Sequence, residues 1–294
     1  MEIKKVGVVG CGLMGHGIAQ TCAQARWDVV VREADQERLD AGVGKIEKQL
    51  GKAVSKGKME QGAADEVRGR IHPTLEFSEL ADCDLVIEAI TENLETKLEM
   101  WKEVDAVVKP EAVFATNTSS LSVADQAAAT SRPTQFLGLH FFNPAQVMPL
   151  LEGVSTDETA EDATKLGGER GETLRKTAVA AGDNRGFIVN RLLVPYLFDA
   201  MRAYEAGVGS IDDIDKGMIA GASHPMGPLT PSDFVGLDPL VSIGEVMHDY
   251  YGEDRMAAPE SLVTLVDAGH LGRKSGRGLY DYSGEKPKAV DPGE

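Results

Sequence analysis

The chain has 294 residues, 42% of them hydrophobic and 26% charged, which are the proportions of a globular protein long enough for two cores. Its formal net charge of −17 at pH 7 excludes a general nucleic-acid binder, which needs a basic surface to displace counterions. No apolar run approaches the roughly 20 residues of a membrane span, and residues 1–5 lead into a strand without a leader pattern, so a cytoplasmic protein without membrane contact is expected. The 3 cysteines cannot make a disulfide framework; Cys11 and Cys22 read as small buried fillers.

Residues 3–9 are apolar and β-rich, and they end at Gly10-Cys11-Gly12-Leu13-Met14-Gly15-His16-Gly17. A helix over 18–25 and a second strand over 28–33 follow. Between two strands, G-x-G-x-x-G marks a dinucleotide-binding βαβ unit. Gly10 permits the tight turn, Gly12 lets backbone amides approach a pyrophosphate, and Gly15 lets helix and strand pack; Leu13 and Met14 complete the turn. The helix N-terminus adds a positive dipole end. Glu33, eighteen positions after Gly15, is placed to accept from the ribose hydroxyls and to repel a 2′-phosphate, which favours NAD over NADP. Arg32 beside it weighs the other way, since an arginine could accept that phosphate.

The alternation continues with a helical stretch over 36–70, a strand over 85–88, a helix over 92–108 and a strand over 113–117. A short helix over 123–129 and strands over 136–140 and 177–180 follow. Repeated βα units predict a Rossmann-like, doubly wound α/β sheet, mostly parallel. After Gly182-Asp183-Asn184-Arg185-Gly186 the pattern turns helical, over 187–206, 211–221, 239–251 and 260–268. The boundary falls near residue 185, giving a dinucleotide-binding domain over 1–185 and an all-α C-terminal domain over 186–294. The tail over 283–294 is expected to fray.

Four polar positions stand where such a sheet presents residues to a ligand. Asn117-Thr118-Ser119-Ser120 and His140 end strands, Glu152 lies in an apolar stretch, and Asn190 opens the first helix of the second domain. A histidine is the natural group to remove a hydroxyl proton as hydride leaves carbon, and a nearby carboxylate would orient its ring. Equally, His140 could cap a strand and Glu152 could pair with a surface base. Lys45, Lys48, Lys52 and Lys56 share one helix face by their spacing. Such a stripe either solvates a helix or meets an anionic ligand.

The glycine turn, the Asp84-Leu85-Val86-Ile87-Glu88-Ala89 segment, Asn117 to Ser122, and His140-Phe141-Phe142-Asn143-Pro144-Ala145 resemble the L-3-hydroxyacyl-CoA dehydrogenase family. So do Gly186-Phe187-Ile188-Val189-Asn190-Arg191, the segment from His224 to Leu229, that from Asp233 to Asp238, and that from Leu271 to Tyr280. The resemblance runs from residue 3 to about 282, and it is nearest to short bacterial members acting on 3-hydroxybutyryl-CoA. It implies that His140 is the catalytic base and Glu152 its partner, with Ser119 and Asn190 contacting the substrate. Glu92, Lys97, Asn117, Asn143 and Lys274 would contact NAD, and Lys52 and Lys56 would bind coenzyme A phosphates. A homodimer paired through the helical domain, with the active site in a cleft between domains, is also implied. The same resemblance leaves no length for a fused hydratase. Two alternatives stay open: a sugar-acid dehydrogenase of related chemistry, and a catalytically silent dinucleotide-binding protein. The chain departs from the family pattern at Glu33, where aspartate is usual, and at Arg185, where proline is usual.

Overall fold

Strand β1 (Lys5–Val9) leads into helix α1 (Gly15–Gln24), strand β2 (Asp28–Arg32), helices α2 (Gln36–Ser55) and α3 (Gln61–Gly69), and strand β3 (Ile71–Thr74). Strand β4 (Leu85–Glu88), helix α4 (Leu94–Val107), strand β5 (Val113–Thr116), helix α5 (Val123–Ala128) and strand β6 (Phe136–Phe141) follow. Strand β7 (Leu150–Ser155), helix α6 (Glu161–Thr173) and strand β8 (Thr177–Gly182) complete the first of two units, Met1–Asn184 and Arg185–Glu294. This is the architecture of a computed structural model, which describes residues 2–290.

Among the described residues the eight strands form one sheet in the order β3-β2-β1-β4-β5-β6-β7-β8. The pairs from β3 to β6 are parallel, β7 runs antiparallel to β6, and β8 runs parallel to β7. Helices cover both faces, so the central strands are buried throughout and read as unbroken apolar runs such as Val113-Phe114-Ala115. The chain steps from β1 outward to β2 and β3, then returns to the other side of β1 with β4. That reversal is the switch point where an open α/β sheet takes its ligand, beyond the strands' carboxyl ends.

Several elements differ from the sequence expectation. The stretch over 36–70 is two helices, because Gly57 at φ +64° ends the first in a left-handed residue. Strand β3 contains Pro73, which a central strand would reject but an edge strand tolerates. Strand β7 and the polar helix α6 were not expected from the pattern: Glu152 interrupts the apolar run of β7, and Gly167 and Gly168 dilute the periodicity of α6. Cys11, Cys22 and Cys83 are all buried, and burial pushes each thiol up to about 12.

The second unit packs helices α7 (Val189–Glu205), α8 (Ile211–Ala222), α9 (Leu229–Val235), α10 (Leu237–Tyr251) and α11 (Glu260–Asp267) around Leu197, Phe198, Met201, Leu240 and Met247. Helix α7 starts two residues later than expected, since Gly186 and Phe187 both have positive φ, +82° and +48°. Helix α9, flanked and entered by prolines, carries too short a period to be read. The unit is not purely helical: β9 (Tyr280–Asp281) and β10 (Lys288–Ala289) pair antiparallel, so the tail is tied down as far as residue 290. Residues 291–294 of the expected frayed tail lie outside the described residues.

Two buried aspartates brace this unit. Asp215 accepts from the Leu229 and Thr230 amides at 2.7 and 2.9 Å and from Tyr280 Oη at 2.8 Å. Asp233 accepts from the Leu279 and Tyr280 amides, each at 2.9 Å, and from Tyr282 Oη at 3.0 Å. Glycines sit against both: a Cβ at Gly227 would overlap Asp215, and one at Gly278 would overlap Asp233 Oδ1 and the Gly272 backbone. The Gly278→Ala variant should therefore lose roughly 1–3 kcal/mol of stability. Its melting temperature, read by calorimetry, should fall, whereas Gly217→Ala, with open space at the Cβ, should not lower it.

Candidate active site

The turn after β1 has the shape of a phosphate cradle. Gly10 has φ +98°, and a Cβ there would press on the Ala89 carbonyl, 2.5 Å away. A Cβ on Gly15 would overlap the Gly10 carbonyl, whereas one on Gly12 would meet nothing within 4 Å. Gly10 and Gly15 thus let the turn close, and Gly12 presents bare backbone to open space at the start of α1, with Leu13 exposed and Met14 at the N-cap. Helix α2 packs over this turn so tightly that a Cβ on Gly42 would overlap Cys11.

Glu33, at the end of β2, is folded back onto the same turn. Its Oε2 accepts from the Cys11 amide at 2.7 Å and its Oε1 from the Ala34 amide at 2.8 Å. The carboxylate stands at the rim of the cradle in a fixed pose. Arg32, the group that could have accepted a 2′-phosphate, is engaged elsewhere: its guanidinium lies 3.7 Å from the Phe77 ring centroid and its Nε donates to the Leu75 carbonyl at 3.2 Å. A cradle with bare glycine backbone and a fixed carboxylate fits a dinucleotide with ribose hydroxyls, which is NAD.

Beyond β4 and β5 lies a buried charge network. Glu88 is wholly buried and Lys97 nearly so, and Lys97 Nζ donates to Glu88 Oε1 at 2.7 Å. The same ammonium reaches Glu92 Oε2 at 2.9 Å. Thr116 Oγ1 donates to Glu88 Oε2 at 2.6 Å, and the Ile90 amide to Glu88 Oε1 at 2.8 Å. Glu92 in turn accepts from Thr118 Oγ1 and, at 2.9 Å, from the Ser119 amide. Burial works to raise the Glu92 pKa, but Lys97 and these hydrogen bonds outweigh it and hold the carboxyl below its ordinary value. Burial works to lower the Lys97 pKa, and Glu88 and Glu92 together hold it above.

The antiparallel register of β6 and β7 sets His140 opposite Glu152. His140 Nδ1 lies 2.6 Å from Glu152 Oε2, with the carboxylate fully buried and the ring 4.5 Å from that of Phe142. Next to them Asn117 Oδ1 accepts from the Phe141 amide at 2.9 Å, which ties the end of β5 to the end of β6. Asn143 is exposed just beyond.

The structure thus brings together His140 with Glu152, and Ser119 with Glu92 and Lys97, while Asn117 braces the strand that carries the histidine. Lys52 is exposed in the last turn of α2 and Lys56 is its C-cap. Asn190 and Lys274 belong to the second unit: Asn190 lies in the first turn of α7, and Lys274 Nζ donates to Asp238 Oδ2 at 2.6 Å. Sequence reasoning did not single out Glu88, Thr116 or Thr118 as site residues. A glutamate closing the apolar run Leu85-Val86-Ile87 is the signal that could have found the first.

Fold and cradle define an NAD-binding protein. Residues 5–184 match the family model described as 3-hydroxyacyl-CoA dehydrogenase, NAD binding domain, and residues 186–282 match its C-terminal domain. A probable 3-hydroxybutyryl-CoA dehydrogenase of Deinococcus radiodurans is 46% identical over 278 residues, covering 95% of this chain and 100% of that protein. The crystal structure of Mycobacterium tuberculosis FadB2 matches with a TM-score of 0.94 at 46% identity, over 96% of this chain and 100% of that one. That of (S)-3-hydroxybutyryl-CoA dehydrogenase from Ralstonia eutropha matches at 0.91 and 35% identity, over 96% and 100%. The chain belongs to the 3-hydroxyacyl-CoA dehydrogenase family. Among the described residues, no helix is long and apolar enough to cross a membrane.

Removing Lys97 leaves the wholly buried Glu88 carboxylate without its ammonium, so Lys97→Met should cost about 3–5 kcal/mol at neutral pH. Part of that deficit should fade as pH falls below about 4.5, because Lys97 holds the partly exposed Glu92 carboxyl below its ordinary value and the wild type loses that contribution as Glu92 protonates. Urea melts of wild type and variant at pH 7 and at about pH 3 check both statements.

Proposed function

We propose that this enzyme interconverts (S)-3-hydroxyacyl-CoA and 3-ketoacyl-CoA of short chain length, 3-hydroxybutyryl-CoA and acetoacetyl-CoA being its natural pair. The observation that carries the reading is the buried His140–Glu152 pair at 2.6 Å, at the carboxyl end of β6. Glu152, as carboxylate, accepts a hydrogen bond from Nδ1–H and so selects the tautomer whose lone pair is on Nε2. That nitrogen takes the proton of the 3-hydroxyl during oxidation, and the imidazolium formed is stabilised by the carboxylate behind it. NAD, when bound, supplies the acceptor for the C3 hydride. In the reducing direction His140 starts protonated and returns the proton to the ketone oxygen.

The other roles follow the family resemblance. Ser119 and Asn190 hold the C3 oxygen and thioester region, and Gly10, Gly12, Leu13, Met14, Gly15 and Glu33 bind the adenosine and pyrophosphate half of NAD. Glu92, Lys97, Asn117, Asn143 and Lys274 serve its nicotinamide half. The short acyl chain is supported by three relatives at 42–46% identity, one named 3-hydroxybutyryl-CoA dehydrogenase and two named probable 3-hydroxybutyryl-CoA dehydrogenase. Lys52 and Lys56, exposed on a protein of charge −17, are the basic groups for the coenzyme A phosphates. Two copies pairing through the helical unit is the family expectation we carry with this reading.

The test is NADH oxidation with acetoacetyl-CoA. Replacing His140 with alanine should lower kcat by about 10²–10⁴-fold while NADH affinity, read by fluorescence, stays put; turnover near the wild-type rate would remove His140 from the base role. A Lys52→Glu/Lys56→Glu double variant should raise KM for acetoacetyl-CoA about tenfold, a loss of about 1.4 kcal/mol. Its NADH affinity should not change, and an unaltered KM would send the phosphates elsewhere.

A further inference from the structure

The opening turn carries a fourth glycine, Gly17, that phosphate approach does not require. Its role lies on the other side of α1. A Cβ at Gly17 would come within 2.5 Å of Gln146 Oε1 and 3.1 Å of Ala145 Cβ. The first turn of the coenzyme helix therefore lies flush against the segment over 142–149, which leaves β6 two residues after His140 and carries Asn143.

That segment is held from two sides. Its own turn is closed by Val147 and Met148, whose amides both donate to the Pro144 carbonyl at 2.9 Å. From the β8 side, the buried Lys176 donates to the Ala145 and Met148 carbonyls at 2.5 and 2.6 Å. From the coenzyme side runs a polar chain. His16 Nδ1 lies 2.6 Å from the Gly12 carbonyl, Gln49 Nε2 lies 3.0 Å from His16 Nε2, and Gln146 Nε2 donates to Gln49 Oε1.

The polarity of the chain is fixed by its first link. A carbonyl oxygen only accepts, so Nδ1 of His16 carries the proton, and the neutral ring must accept at Nε2. Gln49 then offers its amide nitrogen to His16 and its oxygen to Gln146. Burial pushes His16 below the ordinary histidine range, against the pull of the Gly12 hydrogen bond and with the help of Lys45, which keeps the ring neutral.

We propose that His16, Gln49 and Gln146 are positioning residues that lock the Asn143 segment to the phosphate turn, setting the separation between the two ends of the NAD site before NAD arrives. The proposal rests on the assignment of Asn143 to NAD and of His140 to proton transfer made above. A ligand that bridges two fixed points reacts well only if the points are correctly spaced, and misplacement of about 1 Å can cost 10²-fold in rate.

Gln49→Met and Gln146→Met remove the link while keeping side-chain bulk. In the NAD-free variants, amide exchange over 142–149 should accelerate about tenfold, with the rest of the first unit unchanged. With acetoacetyl-CoA, kcat should fall about tenfold with KM for the acyl-CoA within twofold. The primary isotope effect from NADH deuterated at the transferred position should rise as hydride transfer becomes limiting, and NADH should bind more weakly by fluorescence. Local exchange without the kinetic change overturns the proposal, as does the kinetic change without local exchange. So does a general loss of melting temperature with unchanged turnover per folded molecule. A wild-type enzyme inert toward acetoacetyl-CoA would sink the substrate assignment instead, and NADH affinity together with exchange would still decide the link.

Discussion

A carboxylate that has lost contact with water must find its partners inside the protein, and the first unit meets that demand twice, in β4 and in β7 of the same sheet. Glu152 is wholly buried and answers to His140 across an antiparallel pair. Glu88 is wholly buried and answers to Lys97, Thr116 and the Ile90 amide. An isolated buried carboxylate would simply take up a proton. Each here is instead partnered, one by an imidazole and one by an ammonium. The sheet makes this possible, because parallel strands β4, β5 and β6 end side by side and β7 folds back against the last of them.

The two networks differ in what they do. The His140–Glu152 pair is short and buried, and in the proposed mechanism it selects a tautomer and stabilises a transient positive charge. The Glu88–Lys97–Glu92 network spreads one ammonium over two carboxylates and ends on Thr118 and Ser119, so it orders the loop after β5. Glu92 thereby couples the residue family resemblance assigns to substrate, Ser119, to the body of α4. Asn117 adds the transverse tie from that loop to the strand of the histidine.

Much of this was legible in the sequence, and the parts that were not have physical reasons. The βαβ unit, the alternation up to β6 and the change to helices near residue 185 all carry strong periodicity or glycine punctuation. Strand β3 was hidden by Pro73, β7 by its buried Glu152, and α6 by glycines. Those are residues placed for edge protection or chemistry rather than for pattern. His140 and Glu152 could be named as candidates, yet their meeting depends on a hairpin register that no local signal encodes. The Lys97 network was invisible for a related reason: a lysine in an amphipathic helix normally faces water, and only the tertiary fold turns this one inward.

The motifs of the second unit that carry the family resemblance have a different character from those of the first. His224 to Leu229, Asp233 to Asp238 and Leu271 to Tyr280 are accounted for by aspartates satisfying backbone amides and by glycines making room for them. None of that architecture depends on whether His140 is present. A paralogue that had lost its base would keep every one of these signatures, since its helical unit would still have to fold. On the proposed mechanism, a working enzyme is told from a silent descendant at the positions given to chemistry and binding, 119, 140, 152, 190 and 274, and not by the downstream matches that only fold the helical unit.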